Sequence, residues 1–336
     1  MELYGLNAAR AAPKLLQCIN IQWNRRYYEA GDFALQLRAQ DWDSSIAYIY
    51  TAERPELGMV QKIETEHTEK GDFVNVSGFF LEGMFNWKVV WYRAAVDGNV
   101  ADACRSLMTT YMTYLGNITL TVPAGDPVGE EDTFEFEGQM LGDSTYGALK
   151  LQELGQRILW DPATDAFTYE VWQGLDRTQS QNTNTYAVFS QDNGTVDSLV
   201  LTADSSNYYN CAHVVYGDDM HTEVYNWTVG TPRRWLYIMS DINEADYTTN
   251  AKFLAAVQHA ALMELQEYQS VVNIDATVLQ RNLHYLIDYD LGDKCDARDD
   301  KTGLAYETRI IEINEVWKEN THTVTLQFGD KIPVKG

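Results

Sequence analysis

The sequence predicts an α+β chain dominated by strands, strand-rich at both ends and mixed in the middle. Polar and apolar residues alternate with period two through the first 95 residues and again from 271 onward, the pattern of half-buried strands. Helical spacing is confined to the stretches between. At 336 residues, with 45% hydrophobic and 22% charged side chains, the chain is long enough for two or three domains of ordinary globular composition.

The elements follow in chain order. Ile19, Ile21 and Trp23 alternate with Cys18, Asn20 and Gln22; Glu29-Ala30-Gly31-Asp32 then breaks the run before Phe33, Leu35 and Leu37, which reads as a hairpin with one apolar face. A second hairpin joins 59–68 to 73–80 through Glu69-Lys70-Gly71-Asp72, where Gly71 supplies the positive φ of the turn. Past Asp97-Gly98-Asn99 the period changes: Val100, Ala103, Cys104, Leu107, Met108 and Tyr111 recur at helical spacing behind an Asn cap. A second helix is expected from Ser144, with Tyr146, Leu149, Leu154 and Ile158 on one side, and a strand pair at 158–160 and 167–172 follows it. Residues 174–185, GLDRTQSQNTNT, read as an exposed polar loop. The longest helix is expected at 247–267, where Phe253, Ala256, Val257, Ala260 and Met263 form a stripe. Val272, Ile274 and Ala276, then segments 290–298 and 304–317, then Val324, Leu326 and Phe328, close a β-meander.

The formal charge of −24 argues against a surface that grips phosphate, since nucleic-acid binding draws on clustered Lys and Arg. No apolar stretch reaches the length of a spanning helix, and the opening MELYGLNAARAAPK lacks the pattern of a cleaved signal, so the chain is expected to be soluble, without membrane insertion. Cys18, Cys104, Cys211 and Cys295 are scattered and expected to be buried free thiols.

Catalytic signatures are missing: the sequence has no GxSxG, HExxH, GxxxxGK[ST] or strand-borne GxGxxG. Asp290, Asp293, Asp296, Asp299 and Asp300 lack the spacing of a calcium loop and are expected on a solvent-facing turn. Cys211 and His213 form an isolated C-x-H without further zinc ligands nearby. Glu135, Glu137, Asp161, Asp165 and Glu170 could supply a glycosidase pair, and 9 Trp with 21 Tyr could stack on sugars, but packing explains the aromatics and turns explain most of the acids. Sequons at Asn75, Asn117, Asn193 and Asn226 mean little without a secretory signal. No catalytic, cofactor-binding or metal residue is assigned, and no cofactor is expected.

Three segments together resemble the siphovirus ReqiPepy6 Gp37-like family, which belongs with phage tail-hub, or baseplate-hub, proteins. They are the opening MELYGLN with Ile21-Gln22-Trp23-Asn24-Arg25-Arg26-Tyr27-Tyr28-Glu29-Ala30-Gly31-Asp32-Phe33; Val76-Ser77-Gly78 leading to Phe79 and the Trp87 to Trp91 stretch; and Tyr289-Asp290-Leu291-Gly292-Asp293 with Arg309 to Trp317 and Val324 to Gly329. Lys294-Cys295-Asp296-Ala297 departs from the family's apolar strand pattern. The resemblance implies two β-barrel tube domains, at 1–95 and at 191–230 plus 271–336, around a mixed α/β middle domain at 96–190 with the helix of 231–270.

It further implies a structural, non-enzymatic virion protein at the tail tip, made in the bacterial cytoplasm. A homotrimeric ring would join the tail tube to the tip around a channel for DNA and tape-measure protein, with the distal tail protein and tail-fibre or receptor-binding proteins as partners. DNA would pass an acidic wall without specific binding. The alternative is a tail protein that degrades cell-wall glycan or binds carbohydrate.

Overall fold

The computed structural model describes residues 1–333 apart from 93, 113–114, 126, 205–207, 218–219, 267, 269–270 and 319–320. Thirteen strands among the described residues pair into one sheet. Its path runs from Val196–Asp204 through Val271–Val278, Thr321–Pro333, Leu304–Lys318, Cys18–Arg26, Asp32–Arg38, Gly71–Phe80, Leu57–Thr68, Ile46–Tyr50 and Tyr4–Asn7 to Lys14–Leu15. Lys294–Asp299 and Val188–Phe189 branch from Leu304–Lys318.

The expected separation of the two strand-rich ends into distinct sheets is therefore corrected. Leu304–Lys318 is fifteen residues long, and Lys294–Asp299 covers only its first part, Leu304 to Arg309. Irregularities at Glu307/Arg309 and Ile310/Glu312 bend it. Its remaining half would expose a row of amides and carbonyls, and Asn20 to Arg26 pairs with that row from Lys318 to Glu312.

One sheet nevertheless carries two cores on the same face. In the first lobe, Ile21, Trp23, Phe33, Leu35, Val74 and Val76 alternate inward. In the second, Ile274, Ala276, Ile313, Val324, Leu326 and Phe328 do the same. Both hairpins read from the sequence are present, and Gly71 turns the second at φ 130°.

Outside the sheet lie two helical units. Helix α1, Val100–Tyr111, starts where expected because the Asn99 side chain accepts from the Ala101 and Asp102 amides at 3.0 and 3.2 Å. Helix α2, Leu141–Leu151, begins three residues before Ser144 and has no side-chain cap. Leu154 and Ile158, expected on its apolar side, fall beyond its end; Glu153 turns the chain at φ 56° into the strand Gly155–Asp161, paired with Ala166–Trp172. Both helices pack on these strands in a core with Leu81, Met84, Phe85, Phe136 and Tyr169.

Helix α3, Asn250–Gln266, backs a separate three-stranded sheet of His221–Tyr225, Cys211–Tyr216 and Trp235–Ser240. This differs from the expectation that 191–230 belongs wholly with the second strand domain. Only Val196–Asp204 joins the large sheet; Ala212, Val214, Val224 and Ile238 instead bury against Phe253, Val257, Ala261 and Leu265. The range 231–270 thus contains a strand as well as the helix. His259 reaches Asp132 at 3.0 Å and ties the two helical units together.

Candidate functional site

Between the two cores, on the apolar face of the sheet, runs a buried charged seam. Arg25, 1% exposed, gives its guanidinium to Glu56 at 2.5 Å, the Tyr285 hydroxyl at 2.7 Å and Asp290 at 2.6 Å. Arg54 holds both oxygens of Glu315, a wholly buried carboxylate, at 2.7 and 2.5 Å, and His322 adds a contact at 3.1 Å. Burial works against the Arg25 charge, but Glu56, Tyr285 and Asp290 outweigh it and raise its pKa well above the ordinary value. Burial likewise opposes the Glu315 charge, and His322 and Arg54 overcome it, lowering that pKa. The seam stands where both lobes meet, and the Arg25–Asp290 and Arg54–Glu315 pairs fix one lobe against the other.

The helical unit is clamped to the same place. The Tyr27 hydroxyl donates to the carbonyls of Glu153 and Trp172 at 3.2 and 3.0 Å, and Arg309 binds Glu153 at 2.6 Å and the Gly292 carbonyl at 2.5 Å. Gly292 is required here: its φ is 82°, and a Cβ would lie 2.5 Å from the Tyr27 ring.

The aspartate run does not form one solvent-facing turn. Asp293 and Asp296 are 3% and 5% exposed. Asp293 accepts from the Leu175 amide at 2.8 Å and from Arg177 at 2.6 Å; Asp296 accepts from the Gln179 amide at 2.9 Å. Burial raises the pKa of both carboxyls. The polar segment 174–185, expected as an exposed loop, is thereby fastened along these acids, with Thr178 fully buried. Only the far end keeps the expected role, where Asp299 caps its own turn through the Lys301 amide and Thr302.

The opposite face of the sheet is mainly polar where the two lobes join, but past Asp32 it continues in Phe79, Met59 and Tyr48, which pack into the core of the first helical unit. One row of paired residues reads Ser198, Thr277, Thr325, Asn314, Asn24 and Asp32. A second reads Thr321, Lys318, Asn20, Gln36, Asn75 and Glu64. Asn20 donates to Gln36 at 3.0 Å, and Gln36 donates to Asn75 at 3.1 Å. A groove of about 360 Å³ lies along these side chains with Gln22 and Ser77. On this face Lys62 pairs with Glu64 and Arg26 with Asp32 and Glu312, while Lys318 and Arg38 stand against Asp275 and Glu66 in number, so cations and carboxylates nearly balance there in a chain of charge −24.

The remaining candidates are engaged in local structure, with Asp161 and Asp165 at one hairpin turn. Asp161 caps a turn, Asp165 holds Arg10 at 2.7 Å and Glu170 holds Arg157 at 2.7 Å. Glu135 and Glu137 lie in and just beyond the strand Glu131–Phe136. Cys211 is buried, and His213 stacks on His221; no group of three metal-ligating side chains occurs among the described residues. Cys104 and Cys295 are buried as well, while Cys18 is partly exposed. Asn75 lies in the polar row, and Asn117 donates to the Ala8 carbonyl. Sequence reasoning missed the seam because Arg25, Arg54 and Glu315 look like surface charges until their long-range pairing is known.

Residues 14–330 match the family model described as siphovirus ReqiPepy6 Gp37-like protein. The chain belongs to this family. Its fold is shared with a tail protein from Neisseria meningitidis MC58, at 13% identity and a TM-score of 0.63 over 98% of this chain and 96% of that one. The 43 kDa tail protein of prophage MuSo2 from Shewanella oneidensis matches at 11% identity and 0.60, covering 98% of each chain. Prophage tail protein gp18 from Listeria monocytogenes EGD-e matches at 12% and 0.56, over 99% and 96%. No curated protein matches the sequence.

Proposed function

We propose that this chain is a structural hub of the phage tail tip, without enzymatic activity, that closes as a homotrimeric ring around a channel. The observation that carries the reading is the pair of mainly polar rows that cross from one lobe to the other on the same face. A sheet buried on one face and lined with amides and hydroxyls on the other suits a tube wall. In the ring, each subunit contributes its two lobes, so three subunits present six quasi-equivalent wall segments.

The sheet also offers edges for closure. Beyond Met59, the strand Leu57–Thr68 pairs only with Gly71–Phe80 among the described residues. At the other end, Val196–Asp204 pairs only with Val271–Val278 among the described residues. Two unlike open edges favour a head-to-tail contact, which a threefold ring completes without leaving a free end.

The earlier expectation of an acidic channel changes with this lining. Neutral amides and hydroxyls offer DNA few fixed cations to bind, and the acidic charge lies mostly elsewhere on the subunit. DNA and tape-measure protein would pass such a wall without specific binding. The tail tube and distal tail protein would sit above the ring, with fibre or receptor-binding proteins at its periphery, in a virion component assembled in the host cytoplasm.

Imaging the assembled particle tests the proposal directly. Threefold density at this protein, with Gln36 and Asn75 facing the lumen, is the expected result; any other symmetry there, or that face turned outward, refutes it.

A further inference from the structure

The three-stranded sheet on α3 has one face buried against the helix and the other open to solvent. On the open face stand Trp235, Tyr237 and Met239 from one edge, Cys211, His213 and Val215 from the centre, and His221, Glu223 and Tyr225 from the other edge. Tyr237 is 63% exposed, and Trp235 and Tyr225 are 40% and 44% exposed. Large rings left open together on one face mark an interaction site, whereas scattered ones need no explanation.

Their geometry is that of a row of stacked rings flanked by an aromatic pair. The His221 and His213 rings lie 5.1 Å apart and 26° from parallel; His213 and Tyr237 lie 6.2 Å apart and 20° from parallel. Three nearly parallel rings thus stand stacked in a row across all three strands. Beside them, Tyr225 meets Trp235 edge-on at 5.6 Å, and the Arg233 guanidinium lies 5.2 Å from the Tyr225 ring and 4.6 Å from the Trp227 ring. Glu223 accepts from the Tyr225 hydroxyl at the same rim.

We propose that this face binds a neutral glycan, a chain of uncharged pyranose rings. A pyranose presents an apolar C–H face, which packs on a flat aromatic ring, and a rim of hydroxyls, which need hydrogen-bond partners. Here the rings supply the first and Glu223, Arg233 and the imidazoles the second. Among the described residues of the three strands, aliphatic side chains on this face, which a docking helix would require, are limited to Val215 and Met239. Charge selects between sugars: Arg233 balances Glu223 locally, while the chain as a whole carries −24 and repels polyanions. The site belongs to a single subunit, so its test on the isolated chain is independent of ring closure.

The experiment titrates the full chain with chitotetraose, cellotetraose and heparin, followed by tryptophan fluorescence and ligand-observed NMR. Saturable binding of at least one neutral oligosaccharide is expected, with none for heparin. Tyr237→Ala and Trp235→Ala should each weaken it about tenfold, the effect of losing one stacked ring. Tyr237→Phe, which keeps the ring, should retain binding, and Trp91→Ala, at an exposed aromatic elsewhere, should leave it unchanged. Because these side chains are exposed, unchanged melting temperatures confirm that the variants fold. Absence of binding to both neutral probes overturns the proposal. Binding indifferent to Tyr237→Ala or preferential binding of heparin does so too, as does self-association abolished by Tyr237→Ala, which would assign the face to a second copy.

Discussion

Replacing Glu82 with Gln should make the protein more stable above neutral pH and hardly change it in mild acid. Glu82 is 6% exposed, accepts from the Ile158 amide at 2.8 Å, and lines a small cavity with Arg25, Glu56, Tyr146 and Arg157. Burial pushes its pKa up to about 7 from the ordinary 4.5; the Ile158 amide and Arg157 resist the shift, and Glu56 adds to it. A carboxyl whose folded pKa exceeds its unfolded one binds its proton more tightly in the native state. Stability from this group is therefore fully present below pH 4.5, declines between 4.5 and 7, and stays low above. The gap of roughly 2.5 units corresponds to a cost of about 3 kcal/mol at pH 8. Gln is neutral, nearly isosteric and still accepts from Ile158, so it should recover most of that cost. Urea unfolding at pH 5 and pH 8, read by tryptophan fluorescence, measures it. If Glu82→Gln is no more stabilising at pH 8 than at pH 5, the assignment of a buried protonated carboxyl is wrong.

Other perturbations test the seam, the clamp and the wall. Arg54→Ala leaves Glu315 buried without its principal partner and should cost about 3–5 kcal/mol in chemical denaturation, whereas an exposed control, Lys62→Ala, should change stability by less than about 0.5 kcal/mol. Gly292→Ala combines a positive φ with a Cβ driven into Tyr27 and Trp172, and should lower stability by about 2–4 kcal/mol and raise protease sensitivity at 290–294. Gln36→Arg with Asn75→Arg should turn a protein that ignores DNA into one that retards it in a gel, with salt abolishing the shift.

Local order was legible in the sequence; long-range pairing was not. Ile21, Trp23, Phe33 and Leu35 announce their hairpin because period two and a nearby turn are local signals, and Asn99 announces α1 because a cap acts within three residues. Nothing local says that Asn24 will pair with Asn314, so the union of the two ends into one sheet was invisible. The same limit hid the outer sheet, whose strands look like members of the second lobe until α3 is seen to cover Val214 and Ile238. Asp293 and Asp296 misled for another reason: acidic residues in a turn-like run normally face water, and their burial depends on Arg177 and the amides of a segment more than a hundred residues away. The even spread of charge also concealed that the polar face is almost neutral, since a total of −24 says nothing about where the acids stand.

The strand Leu304–Lys318 serves both lobes, and that shared membership decides how the molecule carries load. Seven residue pairs bind its second half to Asn20–Arg26, while Tyr306 to Lys318 is laced to Thr321–Pro333 on the other side. A pull along the strands meets these bonds in shear, where they resist together; a pull across them opens the ladder one rung at a time. The Arg25–Asp290 and Arg54–Glu315 pairs bridge the lobes beside that same joint and add to its resistance. A chain built this way resists a pull along its strands as a single beam, and concentrates its weakness in one direction only.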